Sequence, residues 1–145
     1  RGIVLQQVKN IYRFVKSDYM AHGGVFENEL IDKAFCSKSW NKLLMAERRK
    51  EWKTNTLFYE INPWSMTRED GVQVYFDEFE VTNLMMEPQM MASVSFTVYE
   101  SVTYTPARID LVYEDGRWVI DNFHNLRYML DVRNCMWNYL ENDLI

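Results

Sequence analysis

Hydrophobic side chains in the first third of the chain recur at three- and four-residue steps, the spacing of a helix with one buried face. The first run comprises Val4, Val8, Ile11, Tyr12 and Val15. We expect this helix to break within residues 17–24, where Gly23-Gly24 signals a turn. Similar spacing continues to about residue 52, with Ser37-Lys38-Ser39 as a place where it divides. The pattern predicts several N-terminal helices.

From Val72 onward the period changes to two, as strands with one buried face require. In the clearest strand, polar residues alternate with Ala92, Val94, Phe96 and Val98. Two later strands flank Asp115-Gly116, a pair that favours a two-residue hairpin turn. A closing helix is predicted from Leu126, Leu130, Met136, Trp137 and Leu140. Helices followed by a meandering antiparallel sheet define an α+β fold.

Composition narrows the class of protein. The 145 residues are 48% hydrophobic and 26% charged, which predicts one globular domain over residues 1–145. The net charge of -5 argues against nucleic-acid binding. No apolar run has the length of a membrane span, so we expect no transmembrane segment. The chain begins at Arg1 rather than Met, which fits removal of a leader, and we expect an exported protein while leaving a cytoplasmic one open.

The order of elements resembles the nuclear-transport-factor-2-like superfamily of cone-shaped α+β domains. The string from Tyr113 to Asp121 is similar to a hairpin common in that superfamily, and Asn62-Pro63-Trp64 before Glu69-Asp70 is similar to a loop of its uncharacterised secreted bacterial branch. The resemblance implies N-terminal helices packed in the concave face of a curved, mainly antiparallel sheet, with a cavity between them. The C-terminal helix departs from the simplest form of the fold. Functions in the superfamily range from isomerases to binding domains.

The turn at Asp115-Gly116 predicts which hairpin residues face each other. The inner face would pair Tyr113 with Trp118, Leu111 with Ile120, Ile109 with Asn122, and Ala107 with His124. The outer face would pair Val112 with Val119, Asp110 with Asp121, and Arg108 with Phe123. The inner face carries the larger apolar load and should pack on the helices.

The inner face gives a first functional hypothesis, a non-catalytic domain that binds a small apolar or mixed ligand. Its predicted ligand-binding residues are Tyr59, Trp64, Tyr113, Trp118, Asn122 and His124. Asn122 and His124 would offer hydrogen bonds at the mouth of the pocket, beneath the loop that bears Tyr59 and Trp64. In the alternative interpretation Asn122 ends its strand, His124 caps the next helix, and the loop aromatics close the core.

The outer face gives a second hypothesis, a cofactor-free isomerase, dehydratase or hydrolase. Two carboxylates opposite one another repel, which would raise the pKa of Asp110 or Asp121 into the range useful for acid/base work. Asp121 or Asp110 would then be the base, with His124 as partner. The alternative is a solvated pair compensated by Arg108. Motifs for phosphate, zinc and calcium are absent from the sequence, so we expect no cofactor and no metal and favour binding over catalysis.

A third hypothesis concerns self-association. Val112, Val119 and Phe123 on the outer face would be covered by the C-terminal helix or by a second copy of the chain, which makes a homodimer a candidate assembly. The two cysteines, Cys36 and Cys135, lack the spacing of a metal or redox motif, and the sequence leaves both a bridge and free thiols open.

Overall fold

The computed structural model describes residues 1–21, 29–54, 62–66 and 73–141. Its elements in chain order are α1 (Gly2–Ala21), α2 (Glu29–Phe35), α3 (Lys38–Thr54), β1 (Val74–Met85), β2 (Met91–Glu100), β3 (Thr103–Glu114), β4 (Arg117–Asn125), β5 (Leu130–Asp131) and α4 (Val132–Glu141). Within these ranges, no helix combines the length and the apolar character needed to cross a membrane.

The apolar stripe at the start of the chain forms the buried side of α1. Val4, Val8, Ile11, Tyr12 and Val15 are all at most 2% exposed. The helix ends at Ala21, inside the predicted interval 17–24, and Gly23-Gly24 lies outside the described residues. Tyr19 extends the same stripe by one turn and is buried. This added buried side chain explains why the helix persists through the polar residues Ser17 and Asp18.

The predicted division between the second and third helices lies at Cys36 and Ser37. The Ser37 hydroxyl accepts a hydrogen bond from the backbone N–H of Trp40 at 3.0 Å, as an N-cap residue does. The backbone N–H of Ser37 donates to the carbonyl of Ile120 at 2.8 Å. The start of α3 is therefore fastened directly to β4.

The five strands form one antiparallel sheet in the order β1-β2-β3-β4-β5. The predicted alternation along β2 is confirmed, since Ala92, Val94, Phe96 and Val98 are buried while the residues between them are more exposed. The N-terminal helices pack in the concave face of the curved sheet, and their apolar side chains join those of the strands in one cluster. The predicted α+β fold with a C-terminal helix is confirmed.

The end of the chain differs in detail from the prediction. Residues 126–129 form a turn and not a helix, and Leu130 and Asp131 add the short strand β5 to the edge of the sheet. Only then does α4 begin, with Val132 and Met136 buried. Cys36 and Cys135 are free thiols.

Candidate functional site

A β-bulge in β4 changes the predicted register of the hairpin. Both turn residues have positive φ, 53° at Asp115 and 82° at Gly116, which suits a type I′ turn. The predicted pairs hold from the turn to Leu111 and Ile120, but Asp121 is then an extra residue on β4. Beyond it, every β3 residue pairs with the β4 residue one position later than predicted.

The bulge exchanges the faces of three residues. Ile109 pairs with Phe123, so Phe123 belongs to the inner face, where it is fully buried against the rings of Trp40 and Trp64. Asn122 pairs with Asp110 and His124 pairs with Arg108, which places both on the outer face. The prediction that Asn122 and His124 line the inner face, and that Phe123 lies outside, is therefore wrong.

The predicted pairing of Asp110 with Asp121 is also wrong. Asp121, in the bulge, accepts a hydrogen bond from the Ser37 hydroxyl at 2.6 Å and an ion-paired one from Arg133 at 2.9 Å. Arg133 also donates to the backbone carbonyl of Asp121. Asp121 thus joins the α2–α3 junction and α4 to the sheet.

Asp110 instead meets His124, the residue proposed as its catalytic partner. We define the outer-face cluster as Ser93, Arg108, Asp110, Asn122 and His124. Nε2 of His124 lies 2.6 Å from Oδ2 of Asp110, and the Ser93 hydroxyl donates to Oδ1 at 2.8 Å. Arg108 Nε is 3.3 Å from the same Oδ1, an ion-pair distance without hydrogen-bond alignment. Asn122 donates to Asp131 at 2.8 Å.

The contacts of His124 indicate which of its ring nitrogens carries a hydrogen. Nη2 of Arg108 lies 3.0 Å from the same Nε2 atom that approaches Asp110. A ring nitrogen carries either one hydrogen or one in-plane lone pair, so it cannot donate to the carboxylate and accept from the guanidinium together. The shorter contact to Asp110 favours an Nε2–H that donates to the carboxylate. In a neutral ring, Nδ1 is then the unprotonated nitrogen.

The electrostatics of the outer-face cluster keep Asp110 ionised. Burial raises the pKa of Asp110, but hydrogen bonds from His124 and Ser93 and the positive charges of His124 and Arg108 outweigh it. The resulting pKa lies below the ordinary value of 3.8. Asp110 is therefore a poor proton donor, and it suits the role of orienting His124 better than that of a base.

Of the remaining predicted site residues, Tyr113 and Trp118 are in contact with each other. Trp64 is buried in the interior, whereas Tyr113 is 42% exposed and touches the largely buried Trp118 at 5.5 Å between ring centroids. Tyr59 lies outside the described residues. Of the proposed dimer surface, Val119 and Phe123 are buried within the chain and Val112 is half-buried.

A second group of polar side chains lies between the helices and the concave face. We define the interior cluster as Tyr12, Asp32, Cys36, Trp40 and Trp64. Asp32 is 6% exposed, and three donors converge on its Oδ1 atom. These are the indole nitrogens of Trp64 at 3.2 Å and Trp40 at 3.4 Å, and Sγ of Cys36 at 3.9 Å.

Burial dominates the proton affinities of this interior cluster. Desolvation raises the pKa of Asp32 above 3.8, and the indole donors and the charge of Arg48 offset this only in part. Burial, followed by the neighbouring Asp32, raises the pKa of the Cys36 thiol well above its ordinary value. Cys36 is therefore a protonated thiol at neutral pH and a poor nucleophile.

The hydroxyl of Tyr12 is the unsatisfied member of the cluster. The ring packs against Trp64, Phe76 and Phe96, with centroid distances of 5.7, 4.8 and 4.7 Å. Among the described residues, no atom forms a hydrogen bond with its buried hydroxyl. A buried polar atom without a partner costs about 1–3 kcal/mol, so its retention in a core calls for a reason.

Sequence reasoning placed Tyr12 in a helix stripe and did not single out Asp32. The sequence did hold a sign of a buried acid. Asp32 follows the buried Ile31 and lies four residues before Cys36, so it is on the buried side of a short helix. A buried acid needs donors, and the tryptophans that supply them come from α3 and from residues 62–66. That convergence depends on tertiary structure.

Comparisons of the chain with protein-family models, with curated proteins and with solved structures find no match. In the described part of the chain, no group of three or more His, Cys, Asp or Glu side chains could hold a metal ion. The function must therefore be inferred from the geometry of the two clusters.

Proposed function

We propose that this chain is a non-catalytic domain that binds a small, mostly apolar ligand at the interior cluster. The observation that carries the proposal is the buried Tyr12 hydroxyl, which has no hydrogen-bond partner among the described residues. The Tyr12 ring packs on Trp64, whose indole donates to the buried Asp32 carboxyl. Ligand sites combine apolar walls with a few fixed polar groups, and this cluster has that composition. A ligand that hydrogen-bonds to Tyr12 would remove the cost of the unsatisfied hydroxyl.

The fold supports the same proposal. A curved antiparallel sheet with helices in its concave face agrees with membership of the nuclear-transport-factor-2-like superfamily, whose secreted bacterial branch we propose for this chain together with export. The proposed ligand-binding residues differ from those predicted from the sequence. Trp64 is kept, and Tyr12 and Asp32 replace Asn122 and His124. Trp40 and Phe123 supply further aromatic walls.

A matched pair of probes tests the proposal by NMR. Indole and benzofuran have nearly the same shape, but only indole carries an N–H group. That group could donate a hydrogen bond to the hydroxyl oxygen of Tyr12 or to the carboxyl of Asp32. We expect indole to bind more tightly and to shift the side-chain N–H signals of Trp40 and Trp64. The exposed Trp52 and Trp137 serve as controls in the same spectrum. Equal binding of both probes, or shifts confined to Trp52 and Trp137, would contradict an interior site.

A second candidate function, cofactor-free acid/base catalysis, is favoured by one observation. The bulge brings His124 within 2.6 Å of Asp110, and an oriented imidazole with Nδ1 unprotonated is a general base. A suitable probe is the exchange of the α-hydrogens of cyclohexanone in D2O. Catalysis at this cluster predicts faster exchange with the wild type than with His124→Gln. Equal rates for the two proteins would remove this candidate.

A further inference from the structure

A surface cleft of about 390 Å³ lies beside the turn between β2 and β3, and none of its described lining residues belongs to either cluster. It is lined by Val102, Thr103, Tyr104, Pro106 and Arg127. Its volume is at the lower end of the range found for small-molecule sites. A ligand that fills it is therefore of the size of a small organic molecule and not of a folded partner.

Apolar side chains next to an exposed turn form one wall of the cleft. Val102 is 94% exposed and Tyr104 is 62% exposed. The Tyr104 ring lies 6.4 Å from that of Tyr99, its register partner on β2, which steadies it on the outer face. An exposed valine, a proline and an aromatic ring together offer a contact surface for a flat apolar group.

The turn after β4 forms the other side of the cleft and carries the positive charge of Arg127. The Asn125 side chain accepts hydrogen bonds from the backbone N–H groups of Arg127 at 3.1 Å and Tyr128 at 3.2 Å, which shapes the turn after β4. The N–H of Leu126 donates to the carbonyl of Pro106 at 2.9 Å, so this turn is joined to the opposite wall. Both walls thus keep a defined separation.

Among the lining residues that the structure describes, Arg127 is the one charged side chain. Its guanidinium lies 5.5 Å from the centre of the Tyr128 ring, and no carboxylate of the described residues pairs with it. A guanidinium binds a carboxylate through two parallel hydrogen bonds, an interaction with more geometric specificity than a point charge. The cleft therefore combines one anion-binding group with apolar walls.

We propose that this cleft binds a small monocarboxylate with an aromatic or flat apolar body. The carboxylate pairs with Arg127, and the body lies against Tyr104, Pro106 and Val102. This site is separate from the interior cluster, and it does not depend on the function proposed there.

Phenylacetate, phenylacetamide and acetate distinguish the parts of this proposal when each is titrated into ¹⁵N-labelled protein. We expect phenylacetate to shift the backbone signals of Val102, Thr103 and Arg127 and to bind about tenfold more tightly than neutral phenylacetamide. Acetate should bind more weakly because it lacks the apolar body. Equal affinities for phenylacetate and phenylacetamide would overturn the role of Arg127.

Two variants locate the binding site. Arg127→Gln should weaken phenylacetate binding about tenfold, whereas Arg117→Gln, an exposed arginine at the far end of β4, should leave it unchanged. Both variants are at exposed positions and should fold. The indole signals of Trp40 and Trp64 should not move, which separates this result from binding at the interior cluster. Unchanged affinity in Arg127→Gln, or shifts of those indoles, would overturn the proposal.

Discussion

The indole nitrogen of Trp64 lies 3.2 Å from Oδ1 of Asp32, across 32 residues of sequence. This contact joins the segment 62–66 to α2 and holds the buried carboxyl of Asp32 in place between the helices and the sheet. Because Trp40 donates to the same oxygen at 3.4 Å, the acid is held by two indoles from different parts of the chain. The interior cluster is thus a polar centre within an aromatic core.

The raised pKa of Asp32 predicts how stability depends on pH. The native state binds this proton more tightly than the unfolded chain does, so the free energy of unfolding falls as the pH rises from 3.8 through the raised pKa, and then levels off. In Asp32→Asn this decline should be shallower. Urea unfolding at a series of pH values measures it, with Asp115→Asn at the surface as the control. Identical slopes in wild type and Asp32→Asn would contradict a raised pKa.

Glu47 should destabilise the fold in alkaline solution. It is 3% exposed on the same side of α3 as Trp40. Burial, together with the neighbouring Glu51, raises its pKa from 4.5 to about 8. Stability therefore falls as the pH rises through that interval, and Glu47→Gln should gain about 1–3 kcal/mol at about pH 9.

The control for Glu47 is Glu141→Gln, the same change at an exposed position of α4. It should alter stability by less than about 0.5 kcal/mol at either pH. Thermal unfolding of both variants at about pH 5 and pH 9 provides the comparison. A Glu47→Gln variant that is no more stable than wild type at the higher pH would show that Glu47 is not a buried acid.

The bulge residue Asp121 should matter more to stability than an exposed aspartate. Asp121→Ala removes the hydrogen bond from Ser37 and the ion pair with Arg133, and leaves their partners less satisfied in a half-buried site. We expect a loss of about 1–3 kcal/mol in urea unfolding. Asp115→Ala removes a surface pair with Lys38 and should cost less than about 1 kcal/mol. Equal losses would argue against the junction at Asp121.

Removal of the imidazole should change the titration of Asp110. Hydrogen bonding and charge from His124 contribute to its lowered pKa, so His124→Ala should raise that pKa. Carboxyl ¹³C signals followed against pH measure it, with Ser95→Ala as a neighbouring control. Because a lowered pKa stabilises the fold above 3.8 and this gain disappears as the pH falls, the variant should also lose less stability on acidification. An unchanged titration would contradict the contact.

The sequence predicted the helices, the alternation of β2 and the turn at Asp115-Gly116, because these depend on local spacing and on backbone preferences. It did not predict the bulge at Asp121, which is held by side chains from Ser37 and Arg133 in distant elements. A shift of one residue reverses the face of each later side chain, and this misplaced Asn122, Phe123 and His124.

The candidate site was predicted only in part for the same physical reason. The sequence singled out Trp64 as a loop aromatic, but its partner Asp32 lies in α2, 32 residues earlier. The unsatisfied state of the Tyr12 hydroxyl is a property of the packed core and leaves no local pattern. The contact between Asp110 and His124, which the catalytic hypothesis required, exists because of the bulge.

The most direct measurement of an interior ligand site is the dissociation constant of indole for wild type and for Tyr12→Phe. The variant removes one buried hydroxyl that has no partner among the described residues, so its stability should be equal to or up to about 2 kcal/mol above that of wild type. Indole should nevertheless bind about tenfold more weakly to Tyr12→Phe. Equal affinity of indole for the two proteins would contradict binding at the interior cluster.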